Sequence, residues 1–317
     1  MLAGVREMAS TTVRRAAATS VAAELGELGR DLLVLFKPGV MQLVLFTSLV
    51  ALLLAPGSLH PVLATTIMLA LAGGAAAAAA INNWYDSDID RVMVRTRRRP
   101  TAAGRIAPEE ALGIGVVLAG FSVAVMGLAA GWLAASLLAA TIAFYVVVYT
   151  MWLKRRTPQN IVIGGAAGAL PPVVAWVGAT GRVDLLPLAM FLIIFLWTPP
   201  HFWALALYRV GDYGKVGVPM LPVVAGRERT GRQILAYAVA TTLASLLPVA
   251  YGDLGPAYGA VALLLGGRLV GLSWKTLRTG SDIVANRLFR FSIAYLFALF
   301  GAMLADWLIF GAALAGW

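Results

Sequence analysis

The chain has 317 residues, of which 60% are hydrophobic and 13% charged, with a mean hydropathy of +0.84. Soluble domains carry about a quarter charged residues, so the composition excludes that class and points to an integral membrane protein. With no cysteine in the sequence, disulfides and thiolate-bound metals are excluded, and the formal net charge of +10 accompanies no nucleic-acid-binding signature, which argues against nucleic acid as a partner.

Residues 1–30 are rich in Arg and Ala and lack the long apolar core of a secretory signal. Glu7, Glu24 and Glu27 argue against an organelle transit peptide, so this stretch reads as a cytoplasmic, partly helical extension, with residues 31–317 forming one intramembrane domain. Apolar runs of the length needed to cross a bilayer centre on Val40–Leu54, Thr65–Trp84, Ala111–Ala130, Trp132–Leu153, Ile161–Val177, Leu185–Tyr208, Ile234–Ala250, Leu254–Trp274 and Leu288–Phe310. The expected fold is all-α, a polytopic bundle of about nine transmembrane helices. Its weakest division is the short junction from Leu128 to Trp132. Lys and Arg gather in cytoplasmic loops. Assigned to alternate sides of nine spans, 24 of the 25 basic residues fall on one side, and only Arg182 on the other. This places the N-terminus and the charged loops inside the cell (inner) membrane and the C-terminus outside. Most of the positive charge therefore expresses topology and attraction to the lipid bilayer.

His60, in the first outer loop, reads as a solvated residue opposite the charged loops. At the inner end of the second span the sequence is NNWYDSDIDRVMVRTRRRP, residues 82–100. If the helix continues to Asp90, then Asn82, Asp86 and Asp90 stack on one face at intervals of four. Two unpaired carboxylates there repel, so the spacing suggests a cation between them. Oxygen donors suit Mg²⁺, which binds through one or two carboxylates plus phosphate oxygens. Asp88 points elsewhere and reads as a solvated helix-end charge. Arg95 and Arg99 are also four apart, and guanidinium groups bind phosphate bidentately; Arg97 and Arg98 read as membrane anchors.

Two more inner loops follow. YTMWLKRRTPQN presents Lys154 and Arg155 at the end of the fourth span, and the loop after the sixth carries Asp212 and Lys215. Basic anchors remain an alternative for Lys154, Arg155 and Lys215. Within the sixth span, TPPHFW holds His201, and an ionisable group at that depth is a functional candidate. Pro199 and Pro200 are expected to break the helix and free carbonyls that a polar side chain satisfies, which gives His201 a structural alternative. GGAAGALPP, residues 164–172, is expected either to open space between helices for an apolar ligand or to allow close helix packing.

The pattern N-N-x-x-D-x-x-x-D (Asn82, Asn83, Asp86, Asp90) followed by D-R-x-M-x-R-T-x-x-R-P (Asp90–Pro100) resembles the first Asp-rich motif of the UbiA-type intramembrane prenyltransferases. Within that family, FKPGVMQLVLFTSLVALLLAPG, LKRRTPQNIVIGGAAGALPP, WTPPHFWALALYRVGDYGKVGVPMLPVV and RLFRFSIAYLFALF are similar to the haem O synthase branch. The resemblance covers the chain after about residue 30, and TPPHFWALAL and GVPMLPVV are its most specific phrases. It implies an enzyme that transfers the farnesyl group of farnesyl diphosphate to a vinyl group of haem B, giving haem O for respiratory oxidases. It further implies Mg²⁺ held by Asn82, Asp86 and Asp90, and diphosphate or a haem propionate bound by Arg95 and Arg99 with help from Asn83, Lys154, Arg155, Asp212 and Lys215. His201 is implied to lie near the haem as an iron ligand or an orienting base. Asp212 matches the start of the family's second Asp motif, whose other aspartate is replaced by Val216, which puts a second metal in doubt.

The chemistry fits the residues. Cleaving an allylic C–O bond leaves negative charge on diphosphate, which a metal and arginines stabilise, and the carbocation needs surroundings without water. Addition of water at the end suggests a controlled water path near His201. Handing on so apolar a product suggests contact with a haem A synthase. Other readings stay open: prenylation of a quinone precursor or chlorophyllide by the same machinery, or a secondary transporter for an anion. Clustering of the charges at one face argues against the transporter.

Overall fold

A computed structural model describes residues 26–314, so the N-terminal extension over residues 1–25 lies outside the described residues. The chain is helical throughout the described part: α1 (Gly26–Leu35), α2 (Pro38–Leu54), α3 (Pro61–Tyr85), α4 (Ser87–Val92), α5 (Pro108–Ala130), α6 (Trp132–Ala143) continuing as a π-helix over Phe144–Leu153, α7 (Asn160–Ala169), α8 (Pro171–Thr180), α9 (Leu185–Leu207), α10 (Val210–Lys215), α11 (Leu221–Ala244), α12 (Leu247–Ala250), α13 (Pro256–Thr279) and α14 (Asp282–Leu314). With α6 and its π continuation, α7 with α8, and α11 with α12 each counted as one span, eight helices among the described residues are long and apolar enough to cross a membrane, and α1 with α2, bent by 60°, raises the number to nine. The chain is a multi-pass membrane protein.

Local chemistry sets the joints. Pro61 occupies the first turn of α3, and the His60 ring accepts from the Val62 amide at 3.2 Å, a capping role beyond the solvated loop expected for it. A single residue, Gly131, turns α5 back into α6 at φ 93°, a conformation that glycine adopts without a Cβ penalty. The α7/α8 break falls between Leu170 and Pro171. The predicted break at Pro199 and Pro200 does not occur: α9 runs unbroken from Leu185 to Leu207 with both prolines inside and buried. Packing on neighbouring helices holds it together where two backbone donors are missing.

Packing relies on small residues, because lipid gives helices no hydrophobic reason to associate. The Ala-rich face of α3 lies against α5, where a Cβ at Gly115 would come within 2.5 Å of Ile81 Cγ1. Gly164 meets the Tyr149 ring and Gly165 meets Thr198, so α7 fits tightly between the π segment and α9. The small residues of 164–167 thus serve close approach. Exposed Trp132 and Trp307 lie at one end of the bundle and Trp152 and Trp274 at the other, as interfacial belts require. Asp306, buried on α14, accepts from the Gly255 and Tyr258 amides at 2.7 and 3.1 Å and so caps α13 from a neighbouring helix.

Candidate active site

The charged residues converge where α3 ends. Asp86 leaves the helix at φ −89°, ψ 4°, so α3 does not continue to Asp90 as one element. The stacking survives, because Asp86 N donates to Asn82 O and Asp90 N to Asp86 O, each at 2.9 Å. Asn82, Asp86 and Asp90 are all buried, Asp86 completely. A bare carboxylate cannot persist in such a place, and neither is bare. Asp86 Oδ2 accepts from Lys154 Nζ and from Asn82 Nδ2 at 2.7 Å, Arg155 stands 3.7 Å from Oδ1, and Asp90 pairs with Arg99 at 2.7 Å. The expectation of two unpaired, mutually repelling carboxylates is corrected: each has its own cation.

The π segment explains how Lys154 gets there. Wider turns re-aim the side chains that follow, and such segments are frequent at functional sites. Lys154 N closes the last wide turn on Tyr149 O at 2.9 Å, and buried Thr150 accepts from Asn82 Nδ2 at 3.2 Å. Arg155 forks onto Asp88 at 2.7 and 2.8 Å, and this pairing holds the Asp88 carboxyl below its usual range. Asp88 is thus exposed, as expected, and also paired.

Lys37 is a residue that sequence reasoning missed. It lies at the α1/α2 bend, is the one non-glycine with positive φ among the described residues (56°), and donates to Asn82 Oδ1 at 2.5 Å. Its ammonium is within electrostatic reach of Asp86, Asp90, Arg99 and Lys154. Sequence held a signal, a lysine embedded in the apolar run before Pro38, where an ionisable group is a candidate by default.

The remaining candidates are placed differently. Asn83 turns its amide to Leu35 O and Ala79 O at 2.8 and 3.0 Å, tying α3 to α1. Asp212 and Lys215 lie on α10 at the same end of the bundle, without ion pairs among the described residues. Arg95 is likewise exposed and makes no ion pair there. His201 forms a second centre, with no direct contact to the aspartates. Its ring lies between Trp197 (centroids 4.4 Å apart) and Phe289 (4.7 Å), and Nδ1 meets Ser292 Oγ at 2.7 Å. Ser292 Oγ also donates to Phe289 O at 2.7 Å. Its one proton is used there, so His201 Nδ1 carries the hydrogen and Nε2 the lone pair. The histidine bonds a serine on α14, not the carbonyls freed by the prolines.

The polar centre is closed by its own side chains. A cleft between the end of α9, α11 and α13, lined by Leu207, Arg227 and Glu228 with Thr276, Leu277 and Gly280, includes none of the centre's residues. The donor set nonetheless suits a hard divalent cation. Asp86 Oδ1 is buried without a hydrogen-bond partner, and with the Asp90 carboxylate and the Asn82 amide oxygen it offers few protein ligands, all oxygen, as Mg²⁺ bridging to phosphates requires. No group of three or more His, Asp or Glu in metal-binding proximity exists among the described residues, so a cation held here would need substrate oxygens or water as further ligands.

Known proteins are similar to this chain in sequence and in fold. The model of the UbiA prenyltransferase family matches residues 44–299. Proteins named protoheme IX farnesyltransferase are 54% identical in Sinorhizobium fredii, over 88% of this chain and 89% of theirs. In Azorhizobium caulinodans the figures are 56%, 89% and 93%, and in Acidiphilium cryptum 51%, 95% and 100%. Among solved structures, a digeranylgeranylglyceryl phosphate synthase superposes with a TM-score of 0.74 at 16% identity, over 88% of this chain and 98% of that one. A UbiA homologue from Archaeoglobus fulgidus bound to GPP and Mg²⁺ gives 0.59 at 17%, over 86% and 99%. With the family pattern spanning most of the membrane domain, and its acidic motif buried where α3 ends, the chain belongs to the UbiA prenyltransferase family.

Proposed function

We propose that this chain transfers the farnesyl group of farnesyl diphosphate to a vinyl group of haem B, with addition of water, to give haem O. The observation that carries this reading is identity above one half, across nearly the whole of both chains, to several relatives that bear the name protoheme IX farnesyltransferase. The site supports the donor half of the reaction. Asn82, Asp86 and Asp90 are the residues that would hold Mg²⁺, which when bound neutralises charge on the departing diphosphate. Lys37, Lys154, Arg155 and Arg99 are already gathered there, so basic groups meet the diphosphate without having to be recruited. Because Asp86 and Asp90 are buried beneath these cations, Lys154 and Arg99 exchange a carboxylate for a phosphate oxygen as substrate enters.

The allylic C–O bond then breaks with its electron pair leaving on diphosphate, and the vinyl π electrons form the new C–C bond. Water adds to the cation left on the vinyl-derived carbon and gives up a proton. His201, with Nε2 unprotonated, is placed to take that proton, and the rings of Trp197 and Phe289 limit how much water reaches it. The basic loops face the cytoplasm across the cell (inner) membrane, and the product passes to a haem A synthase. The test is mass analysis of the haems formed by the purified chain from farnesyl diphosphate, haem B and Mg²⁺. Hydroxyethylfarnesyl haem from the wild type, and none from Asp86→Ala, is expected. Prenylation of a quinone precursor in its place would overturn the acceptor assignment.

A further inference from the structure

One arginine lies where orientation in the membrane does not require it. Arg268 is on α13, a helix long and apolar enough to cross a membrane, and is the thirteenth of its 24 residues, with about 18 Å of helix before it and about 16 Å after it. The exposed Trp274 of the interfacial belt is six residues further on, about 9 Å nearer the end of the bundle that carries the polar centre. At this depth the Arg268 side chain is nevertheless exposed on the outside of the bundle. None of the ion pairs among the described residues includes it. What it meets is a ring: the guanidinium stands over Phe291 of α14, 4.8 Å from the centroid, which holds it beside the neighbouring helix. Charged side chains inside membrane spans normally face the bundle interior or a water-filled cavity and are paired there. Arg268 faces outward, so its counter-charge has to come from outside the bundle.

The surface around it admits another helix. Gly267 and Gly271 flank Arg268, both exposed, and a Cβ at either would meet nothing within 4 Å. Across the seam, Ala294 and Ala298 are exposed on α14, one and two turns beyond Phe291. Small residues let a second backbone come close in lipid, and here they border an unpaired charge. Charge complementarity then selects the occupant. A second copy of this chain does not supply the acid: the buried Asp86, Asp90 and Asp306 are engaged within their own bundle, and the exposed carboxylates of the described residues lie in loops, near helix ends or beside the Gly226 kink. A phospholipid phosphate belongs at the level of the tryptophan belt, about 9 Å along the helix from Arg268.

We propose that the α13/α14 seam around Arg268 is an intramembrane docking surface for another membrane protein, whose docking helix carries an Asp or Glu at the depth of Arg268. The surface does not depend on which acceptor the enzyme prenylates. Its place in the bundle gives it a use: Phe291 adjoins Ser292, which holds the His201 ring at 2.7 Å, so the docked helix lies against the wall of the second centre.

The experiment places fluorophore-labelled protein in phosphatidylcholine vesicles with a synthetic Leu/Ala helix of about 20 residues, carrying an acceptor dye and either Glu or Gln at its centre; energy transfer reads association. A hydrogen bond to a charged group is equivalent to about tenfold in affinity. The wild type is expected to bind the Glu helix about tenfold more tightly than the Gln helix. Arg268→Leu and Arg268→Gln are expected to bind both alike, and Arg268→Lys to keep a preference for Glu. Gly271→Leu, which fills the surface of close approach, is expected to weaken the Glu helix several-fold with Arg268 intact. Both positions are exposed, and tryptophan fluorescence melts confirm that the variants fold. A wild type that binds the two helices alike overturns the proposal without reference to any variant, and so does a preference for Glu that survives Arg268→Leu. If Arg268→Leu changes only how much phosphatidylglycerol the purified protein retains, Arg268 is a lipid headgroup site and the docking surface is overturned.

Discussion

Replacing Lys154 by Met isolates the interaction on which the buried centre depends. Asp86 is fully buried and would keep only Asn82 Nδ2 at 2.7 Å and Arg155 at 3.7 Å. Breaking a buried ion pair from one side costs about 3–5 kcal/mol, because the surviving charge is left without its partner. The two remaining contacts place this case near the lower figure, about 3 kcal/mol. At roughly 2–4 °C per kcal/mol, the apparent Tm falls by about 6–12 °C, read by intrinsic tryptophan fluorescence in detergent. Two controls follow from the same reasoning. Asp86→Asn in the Lys154→Met background removes the stranded charge, so the double variant melts above Lys154→Met and the two changes are not additive. Mg²⁺ supplies the missing positive charge and raises the Tm of Lys154→Met more than that of the wild type. A loss below about 1 °C, or strictly additive losses in the double variant, would refute the description of Asp86 as a buried carboxylate held by Lys154.

Three further predictions concern other parts of the molecule. Gly164→Ala places a Cβ about 2.2 Å from Tyr149 Cδ2, an overpacking that costs about 1–3 kcal/mol; thermal unfolding should show the loss, and Tyr149→Leu in the same chain should restore most of it. His201→Ala is expected to keep the KM for farnesyl diphosphate while abolishing the hydroxylated product, since the histidine does not touch the aspartates; a normal haem O yield by mass analysis would remove it from the reaction. Asp88 is held below the usual carboxylate range by Arg155, so the stabilisation from this pair is present above the ordinary aspartate value and lost as pH falls through the depressed one. The side chain is 61% exposed, so the pair contributes about 0.5 kcal/mol at most, and Asp88→Asn should melt about 1–2 °C below the wild type at pH 7 and level with it in strong acid.

The spans were legible because a bilayer demands long apolar runs, and the nine predicted stretches correspond to the eight long helices and the bent α1/α2 pair. Asp86 and Asp90 were legible because spacing of four stacks side chains even across the break at Asp86, where the hydrogen bonds to Asn82 O and Asp86 O persist. What the local pattern could not carry was partnership over distance. Lys154 reaches Asp86 across 68 residues, and it does so through a π segment that hydropathy does not register. Ser292 fixes the His201 tautomer from 91 residues away. The proline pair misled because the rule that proline breaks a helix describes a helix in water, and α9 has buried neighbours around both rings. Lys37 is hidden among the basic residues that set orientation, although its position in an apolar run sets it apart.

The central claim is that Asp86 and Asp90 together hold the metal of a metal–diphosphate complex. Mn²⁺ in place of Mg²⁺ makes this directly visible by electron paramagnetic resonance, titrated with farnesyl thiolodiphosphate present to prevent turnover. The wild type should bind Mn²⁺ in a manner that requires the diphosphate, with Asp86→Asn and Asp90→Asn each losing it; Mn²⁺ bound with undiminished affinity by both variants would contradict the account.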